Sequence, residues 1–332
     1  MRSLIFKTTK GIKMAHELTQ RADGFTEMAF IGETPWHGLG QELQEGADMV
    51  TWRKAAGMDW IIESSPVSYN ANGNDQKFPS QNVLYRSDNN DALSIVSDRY
   101  KPVQPTEVLE FFDSLVKEAG FKLHTAGTLR GGKRLWALAE TGKFGEVCKN
   151  DGVGGFLLLS TSCDRSLATT ARFTSVRVVC NNTLTMAQNQ VKTMVKVPHS
   201  TVFDHDKVKL QLGEVSEAFG SFMEMAKYLQ KQEMLSLSAD TFIRKLLEPI
   251  SFNKPDDYEL GTNKAYKAIW ELFEGGAKGS ELVGHTKWAM LNAVTEYYDH
   301  HIPNRSNDTR LNNAWFGSGD RAKNKAVELL LA

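Results

Sequence analysis

The chain has 332 residues, of which 41% are hydrophobic and 24% are charged, the balance of an ordinary folded protein. This composition excludes long disordered tracts and collagen-like repeats, and no segment approaches the roughly 18 consecutive apolar residues of a membrane-spanning helix. The 39 basic and 40 acidic residues give a formal charge of −1, which excludes a uniformly basic coat for a polyanion. The length allows one large domain or two small ones.

The N-terminal region predicts little regular structure. Residues 1–13 are basic but lack the apolar core of a secretory signal, and Met14 resembles a second start. We therefore expect residues 1–13 to be a non-native or disordered extension, followed by an irregular strap over residues 14–60. The strap contains Glu33–Gly40, whose Pro, Gly and aromatic residues are typical of neither a helix nor a strand. A short helix is expected near Asp48–Met58.

The central region, residues 61–200, predicts an antiparallel domain. One β-hairpin is expected around the turn Ser87–Asp91, and an amphipathic helix over Thr106–Ala119 with Gly120 as its C-cap. Gly152–Gly155 is interpreted as a loop entering a strand. Two further hairpins are expected, Lys122–Arg130 with Arg134–Glu140 and Gly155–Ser162 with Leu167–Cys180.

The C-terminal region, residues 201–332, predicts helices. A heptad-spaced apolar seam runs from Val208 to Leu229, and we expect it to pack against the chain's own body. The fold class is therefore α+β, with antiparallel hairpins and a packed helix followed by a mostly helical C-terminal region. The further helices are expected over Ser238–Glu248, Asn263–Glu274, His285–His300 and Asp320–Leu331.

The charge is unevenly distributed along the chain. Arg21–Asp98 holds 5 basic and 12 acidic residues, a net of −7, whereas Gly120–Ser200 holds 11 basic and 4 acidic, a net of +7. Such segregation can mark a basic binding surface that the whole-chain charge does not reveal. The alternative is chance clustering of like charges on solvated faces.

The search for catalytic motifs is negative. The sequence contains no GxGxxG, GxxxxGK[ST], HExxH or GxSxG motif. His300 and His301 are adjacent, so they cannot easily ligate one metal ion from a regular helix. Cys148, Cys163 and Cys180 form an odd set without CxxC spacing, which favours a reducing cytoplasm. We therefore expect a cytoplasmic protein that is not an enzyme and has neither cofactor nor metal.

Basic side chains cluster at the turns of the second and third hairpins, one of which contains Gly131 and Gly132. Glycine lets a backbone approach a phosphate chain, arginine offers paired donors to phosphate oxygens, and aromatic rings stack on bases. Arg172 and Arg177 lie five residues apart, so a regular strand points them to opposite faces, and they could share a face only across a bulge. Two hairpins tipped with basic residues could line a groove for a nucleic-acid backbone. The alternative is that the turns are merely solvated and that Trp36 and Trp136 belong to the core. The candidate nucleic-acid-binding residues are Arg130, Lys133, Arg134, Arg165, Arg172, Arg177, Trp36 and Tyr100.

Four segments carry a resemblance to a known family: Pro35–Gly40, Ser97–Pro105, Arg177–Leu184 and Asn292–His300. Together they resemble the phage/plasmid-like family of unknown function. The resemblance runs from Met14 almost to the end of the chain. That family is distantly similar to phage single-strand annealing recombinases. The resemblance implies an oligomer in the host cytoplasm that binds and anneals single-stranded DNA without ATP. The partners it implies are single-stranded DNA, other copies of the chain, and a phage exonuclease or host single-strand-binding protein, without a membrane.

Two other functions stay open at this point. The first is a phage or plasmid protein–protein factor that counters a host defence or modulates a host enzyme. Its contacts would depend on Phe, Trp and Met surfaces and on the acidic N-terminal portion rather than on the arginines. The second is a hydrolase or nuclease using Asp and His residues, which no ligand spacing supports.

Overall fold

The computed structural model describes residues 18–32, 39–177, 182–185, 194–212, 215–247, 263–302 and 310–332. The strands are β1 (Met28–Ile31), β2 (Gln41–Leu43), β3 (Ile62–Ala71), β4 (Asn74–Arg86), β5 (Ala92–Ser97), β6 (Lys122–Leu129), β7 (Arg134–Glu146), β8 (Gly152–Ser162), β9 (Thr169–Arg177), β10 (Asn182–Thr185) and β11 (Met194–Val197). The helices are α1 (Met49–Ala55), α2 (Pro105–Ala119), α3 (His205–Leu212), α4 (Val215–Gln230), α5 (Ser236–Leu247), α6 (Lys264–Glu271), α7 (Ser280–Val283), α8 (Lys287–Glu296), α9 (Arg310–Phe316) and α10 (Ser318–Leu331).

The structure confirms the α+β class. A large sheet has the strand order β10-β9-β8-β7-β6-β1-β2, with β11 also paired to β9. Its strand pairs are antiparallel except for β1 with β2. Because β1 and β2 belong to this sheet, the expectation of an irregular strap over residues 14–60 is wrong for these segments. The short helix expected after the strap is present as α1, whereas residues 1–17 and 33–38 lie outside the described residues.

The second sheet is antiparallel and has the order β3-β4-β5. The pairing of β4 with β5 confirms the first predicted hairpin. The sequence did not predict β3 or the outer half of β4, which form a longer hairpin turning at Asn72–Gly73. Leu84 and Leu93 of this sheet are buried in the same core as the large sheet and α2.

The second and third predicted hairpins are also present, as β6 with β7 and β8 with β9. Gly152–Gly155 does not form the expected loop, because β8 begins at Gly152. A Cβ atom at Gly155 would lie 2.9 Å from the Phe219 ring of α4. This glycine therefore allows a helix to approach the strand closely.

The helices cover both faces of the large sheet. Leu135 and Ala137 of β7 face the main core, which α2, α4 and α8 complete, whereas Trp136 and Leu138 face a smaller core that includes Trp315 of α9. The C-cap Gly120 has a φ of 70°, as the sequence predicted. Helices α5, α6, α8 and α10 correspond to the four further helices expected.

The predicted heptad seam faces the chain's own core, as expected. Its described side chains are all buried, and they are Val208, Phe219, Phe222, Ala226 and Leu229. Helix α8 is buried on all sides, from Trp288 to Glu296. Among the described helices, none combines the length and apolarity needed to span a bilayer.

Candidate nucleic-acid interface

The turns of the second and third hairpins lie side by side at one end of the large sheet. Arg134 at the start of β7 pairs in register with Ser162 at the end of β8. The Cys163 amide donates to the Lys133 carbonyl oxygen over 2.9 Å, and the Arg134 guanidinium donates to Ser166 Oγ over 2.9 and 3.1 Å. Since β7 lies between β6 and β8, the fold brings the two basic turns together.

Three of the predicted basic residues stand in these turns with accessible side chains. Arg165 is exposed, and Arg130 and Lys133 are half-buried. Arg130 and Arg165 have positive φ angles of 56° and 64°. Because residues other than glycine adopt this left-handed conformation only where a chain turns sharply, both arginines mark the points at which the strands reverse.

Tyr100 attaches a third segment to the same end of the sheet. Its hydroxyl donates to the Ser162 carbonyl oxygen over 2.6 Å, and its ring stacks on His199 with centroids 4.6 Å apart. Burial raises the pKa of the Tyr100 hydroxyl well above its usual range, so the phenol remains a donor. One ring face is covered by His199, which leaves Tyr100 better suited to anchoring the chain than to stacking on a base.

The neighbours of Tyr100 add two basic residues that sequence reasoning did not select. Arg99 and Lys101 are exposed on either side of the anchored tyrosine. A signal was available, since Ser97–Pro105 carries one of the four motifs and contains both residues. We call the set Arg99, Lys101, Arg130, Lys133 and Arg165 the hairpin-tip surface.

Two carboxylates at this end are held by internal hydrogen bonds. Asp164 accepts from the hydroxyl and the amide of Ser166, the latter over 3.0 Å. Burial alone would raise the pKa of Asp164, but the hydrogen bonds from Ser166 outweigh it and lower the pKa. Asp98 accepts from Asn82 Nδ2 over 2.8 Å. A third carboxylate near these turns, Asp88, is ion-paired with a buried arginine. The five basic side chains therefore exceed the three acidic ones.

Cys163 lies beneath the hairpin-tip surface, between the two turns. The Cys163 Sγ approaches the carbonyl oxygens of Gly132 and Lys133 at 3.6 and 3.4 Å. Ser94 Oγ donates to the Cys163 carbonyl oxygen over 2.5 Å. Burial raises the pKa of the Cys163 thiol to about 12. The thiol is thus a packed, protonated group rather than a nucleophile.

A buried ion-pair network supports the second turn from below. Arg86, only 1% exposed, donates to the fully buried Glu27 over 2.7 and 3.1 Å and to Asp88 over 2.8 and 2.9 Å. It also donates to the Gly131 carbonyl oxygen over 3.4 Å, and its guanidinium lies 4.2 Å from the Trp60 ring centroid. Buried charges require such pairing, so the network fixes the position of the turn.

The second glycine of this turn faces the protein rather than a ligand. Gly132 has a φ of 91°, and a Cβ atom there would lie 2.8 Å from Trp60 and 3.0 Å from Arg86 Nη1. The prediction that these glycines admit a phosphate chain is therefore wrong for Gly132, because the space is filled by an indole ring. Gly131 is exposed and has open space around it.

The remaining predicted arginines lie inside the protein. Arg172 is 6% exposed, donates to Asp320 over 3.1 Å and to the Trp315 carbonyl, and lies 5.4 Å from the Phe316 ring centroid. The structure thus places it beneath α9 and α10, and not on the surface groove expected from the sequence. Arg134, 7% exposed, is also buried.

Arg177 lies on the opposite face of β9, as the strand spacing predicts, and it too is buried. It donates to Asp151 over 2.6 Å and to the carbonyl oxygens of Lys278 and Gly279 over 2.8 and 3.1 Å. The Trp288 indole donates to the second oxygen of Asp151 over 2.8 Å. Arg177 therefore joins β9 to the helices near α7 and α8 instead of lining a groove. Trp36 lies outside the described residues.

The described residues contain no group of three or more His, Cys, Asp or Glu side chains that could hold a metal ion.

No curated protein and no solved structure matches the chain. A family model described as a domain of unknown function, DUF932, matches residues 92–315. The matched region contains the hairpin-tip surface and the buried arginines of β9, whereas Glu27 and Arg86 precede it. Because the match spans about two thirds of the chain, the protein belongs to the DUF932 family of unknown function.

Proposed function

We propose that the protein is a single-stranded DNA-binding and strand-annealing protein of a phage or plasmid. It acts as an oligomer in the host cytoplasm and does not require ATP. The observation that carries the proposal is the hairpin-tip surface, which gathers basic side chains from three separate segments at one end of the sheet. A groove along β9 is not part of the proposal, because Arg172 and Arg177 are paired inside the protein.

The chemistry of this surface suits the nucleic-acid backbone rather than base edges. Long cationic side chains on turns can neutralise phosphates and release counterions, a contribution that is independent of sequence. Arginine also provides paired donors to phosphate oxygens. We therefore expect binding that tolerates any base sequence and weakens steeply with salt.

Backbone binding of this kind also accounts for annealing. A strand held by its phosphates keeps its base edges free to pair with a complementary strand. Base stacking in a duplex releases roughly 1.4 kcal/mol per step, so annealing proceeds without ATP once two strands are brought together. The protein then needs to concentrate the strands and to reduce the repulsion between their phosphates.

The direct test measures oligonucleotide binding by fluorescence anisotropy and annealing by fluorescence resonance energy transfer, at low and high salt. The variant Lys133→Glu/Arg165→Glu should raise Kd at least tenfold, because two favourable phosphate contacts become repulsive. Lys149→Glu is the matched control, since Lys149 is exposed in the turn between β7 and β8 at the opposite end of the sheet.

Neutral replacement gives a finer measurement. Lys133→Ala/Arg165→Ala should reduce the slope of log K against log salt by roughly 0.7 for each lost contact with a single strand. Failure of the wild-type protein to bind at low salt would reject the proposal. Equal binding by the charge-reversed variant and the Lys149→Glu control would reject the hairpin-tip surface as the site.

A second candidate function is the protein–protein factor considered above. The observation that favours it is the exposed hairpin of β3 and β4, which carries Tyr69 and Phe78 at about half exposure. Biological activity that survives Arg165→Glu, and capture of the same partner with and without nuclease, would favour this function over strand annealing.

A further inference from the structure

The turn at the tip of the β3–β4 hairpin carries the only Asn-Gly pair in the sequence, Asn72–Gly73. Ala71 and Asn74 pair directly on either side of it, so the turn consists of two residues. Both have left-handed backbones, with φ angles of 53° and 86°, which is the geometry of a tight hairpin turn. Both are also exposed, so water and hydroxide reach the Asn72 side chain and the Gly73 amide directly from solvent.

Asparagine is a chemically labile residue, and one that precedes glycine can react with its own backbone. The Gly73 nitrogen, after losing its proton to hydroxide, attacks Cγ of Asn72. The new N–Cγ bond closes a five-membered succinimide ring. The Cγ–Nδ2 bond breaks, and the leaving nitrogen takes a proton from water and departs as ammonia.

Water then opens the ring at one of its two carbonyl carbons. Addition at Cγ breaks the new N–Cγ bond and produces aspartate. Addition at the backbone carbonyl carbon breaks the original peptide bond and produces isoaspartate, whose main chain runs through Cγ. The overall reaction consumes one water molecule, releases one ammonia and requires neither an oxidant nor a reductant.

Glycine at position 73 favours ring closure for two reasons. Glycine has no Cβ to hinder the approach of its nitrogen to Cγ of Asn72, and its backbone rotates more freely than that of any other residue. A Cβ atom placed on Gly73 would meet no atom within 4 Å, so the surrounding protein does not confine the turn. The turn can therefore change its conformation without displacing a packed neighbour.

Hydrogen bonds within the turn oppose the reaction. The Gly73 amide donates to Oδ1 of Asn70 over 2.9 Å, and Nδ2 of Asn70 donates to Oδ1 of Asp75 over 3.0 Å. The attacking nitrogen must lose its proton and turn toward Cγ of Asn72, so its hydrogen bond to Asn70 has to break first. Asn70 should therefore slow ring closure.

The part of the hairpin next to the turn is suited to such openings. Ser68–Ala71 pairs with Asn74–Lys77 before β5 joins β4 at Gln81, and these residues are exposed or half-buried. A two-stranded hairpin without a packed face is only marginally stable in water, and its local opening costs less free energy than global unfolding. The Gly73 amide is thus released transiently while the rest of the protein stays folded.

We propose that Asn72–Gly73 is a site of spontaneous deamidation, which converts Asn72 in the folded protein to a mixture of aspartate and isoaspartate. Each conversion adds one negative charge to the tip of the hairpin, beside Asp75. Isoaspartate also lengthens the main chain of the two-residue turn by one carbon, which disturbs the pairing of Ala71 with Asn74. The reaction involves no nucleic acid, so the inference stands apart from the strand-annealing proposal.

The chain contains a close internal control at Asn90–Asp91. Asn90 is exposed and has a φ of 62°, and the Asp91 amide donates to Oδ1 of Asn89 over 2.9 Å. Asn90 therefore matches Asn72 in exposure, in backbone conformation and in the hydrogen bond of the following amide. The difference is that aspartate follows Asn90, and its Cβ hinders ring closure. The ratio of the two rates thus measures the effect of the glycine.

The test is incubation of the full chain at neutral and at mildly alkaline pH, followed by proteolytic digestion and mass spectrometry. The Asn72 peptide should gain the mass difference between an amide and a carboxyl group, and it should separate into an aspartate and an isoaspartate product. Its conversion should be roughly tenfold or more faster than that of the Asn90 peptide, and it should accelerate with hydroxide concentration. Equal rates for the two peptides would overturn the proposal. A product that contains aspartate alone would also overturn it, because direct hydrolysis of the side chain forms no isoaspartate.

Two variants test the roles of the neighbouring residues. Gly73→Ala should slow the conversion of Asn72, because the new Cβ hinders the attacking nitrogen. Asn70→Ala should speed it about two- to tenfold, the factor that one hydrogen bond contributes. The Asn90 peptide of each variant is the control and should react at the wild-type rate. Unchanged conversion of Asn72 in Gly73→Ala would overturn the succinimide route, and unchanged conversion in Asn70→Ala would overturn the protective role of Asn70.

Discussion

The arginines at the hairpin tips and those along β9 belong to the same two hairpins but have opposite surroundings. Arg165 stands exposed in a turn, whereas Arg177 is 3% exposed and donates to Asp151 and to two carbonyl oxygens. The difference teaches that a basic residue on a strand contributes to a binding surface only if no other element covers that strand. Here the covering elements are helices near the C-terminus.

Breaking the Arg177–Asp151 pair should have the largest effect on folding. Arg177→Ala leaves the fully buried Asp151 without its cation, and loss of one partner of a buried pair costs about 3–5 kcal/mol. Urea unfolding followed by tryptophan fluorescence measures the change. Arg165→Ala, the exposed control, should change the free energy of unfolding by less than about 0.5 kcal/mol. Equal losses of unfolding free energy for Arg177→Ala and Arg165→Ala would contradict the difference between the buried and the exposed arginine.

Gly132→Ala should have an intermediate effect. The new Cβ would lie 2.8 Å from Trp60 on a backbone with a φ of 91°, and we expect a loss of about 1–3 kcal/mol in urea unfolding. Gly131→Ala has a similar φ but meets no atom within 4 Å, so it isolates the cost of the backbone conformation. The prediction fails if Gly132→Ala is no more destabilising than Gly131→Ala.

A third predicted effect appears only at alkaline pH. The Cys163 thiol has a pKa of about 12 in the folded protein against an ordinary value of 9.0. As pH rises from 9 toward 12, the unfolded chain loses this proton while the folded protein keeps it, so stability falls. The slope is at most about 1.4 kcal/mol per pH unit for one group. The unfolding free energies of the wild type and Cys163→Ala should therefore converge with rising pH. A difference between them that does not change with pH would contradict the raised pKa of the Cys163 thiol.

The sequence predicted those parts of the fold whose signals are local. The hairpin around Ser87–Asp91 has turn residues between alternating strands, and α2 has a complete apolar stripe with Gly120 as its cap. The outer part of β3 and β4 was missed because Ser, Asn and Gln dominate it and its few apolar residues are widely spaced. A short apolar face on an exposed ribbon gives little signal in a search for buried strands.

The candidate site was predicted only in part, for a related reason. Turn residues identified Arg130, Lys133 and Arg165, and strand alternation placed Arg172 and Arg177 on opposite faces. Alternation does not reveal which face another element covers. The cover comes from residues far along the chain, since Arg177 bonds to Lys278 and Arg172 to Trp315. Likewise, Arg99 joins the site only through the hydrogen bond of Tyr100 to Ser162.

The burial of α8 has a consequence for synthesis of the protein on the ribosome. The helix fills the core beside Asp151, yet Trp288 follows Asp151 by 137 residues. The hairpins therefore emerge long before α8, and during that interval Arg177 and the part of the large sheet that α8 covers lack their native contacts. Contacts of such long range form slowly, and exposed sheet surfaces aggregate readily. A nascent chain of this protein is thus prone to aggregation until α8 emerges.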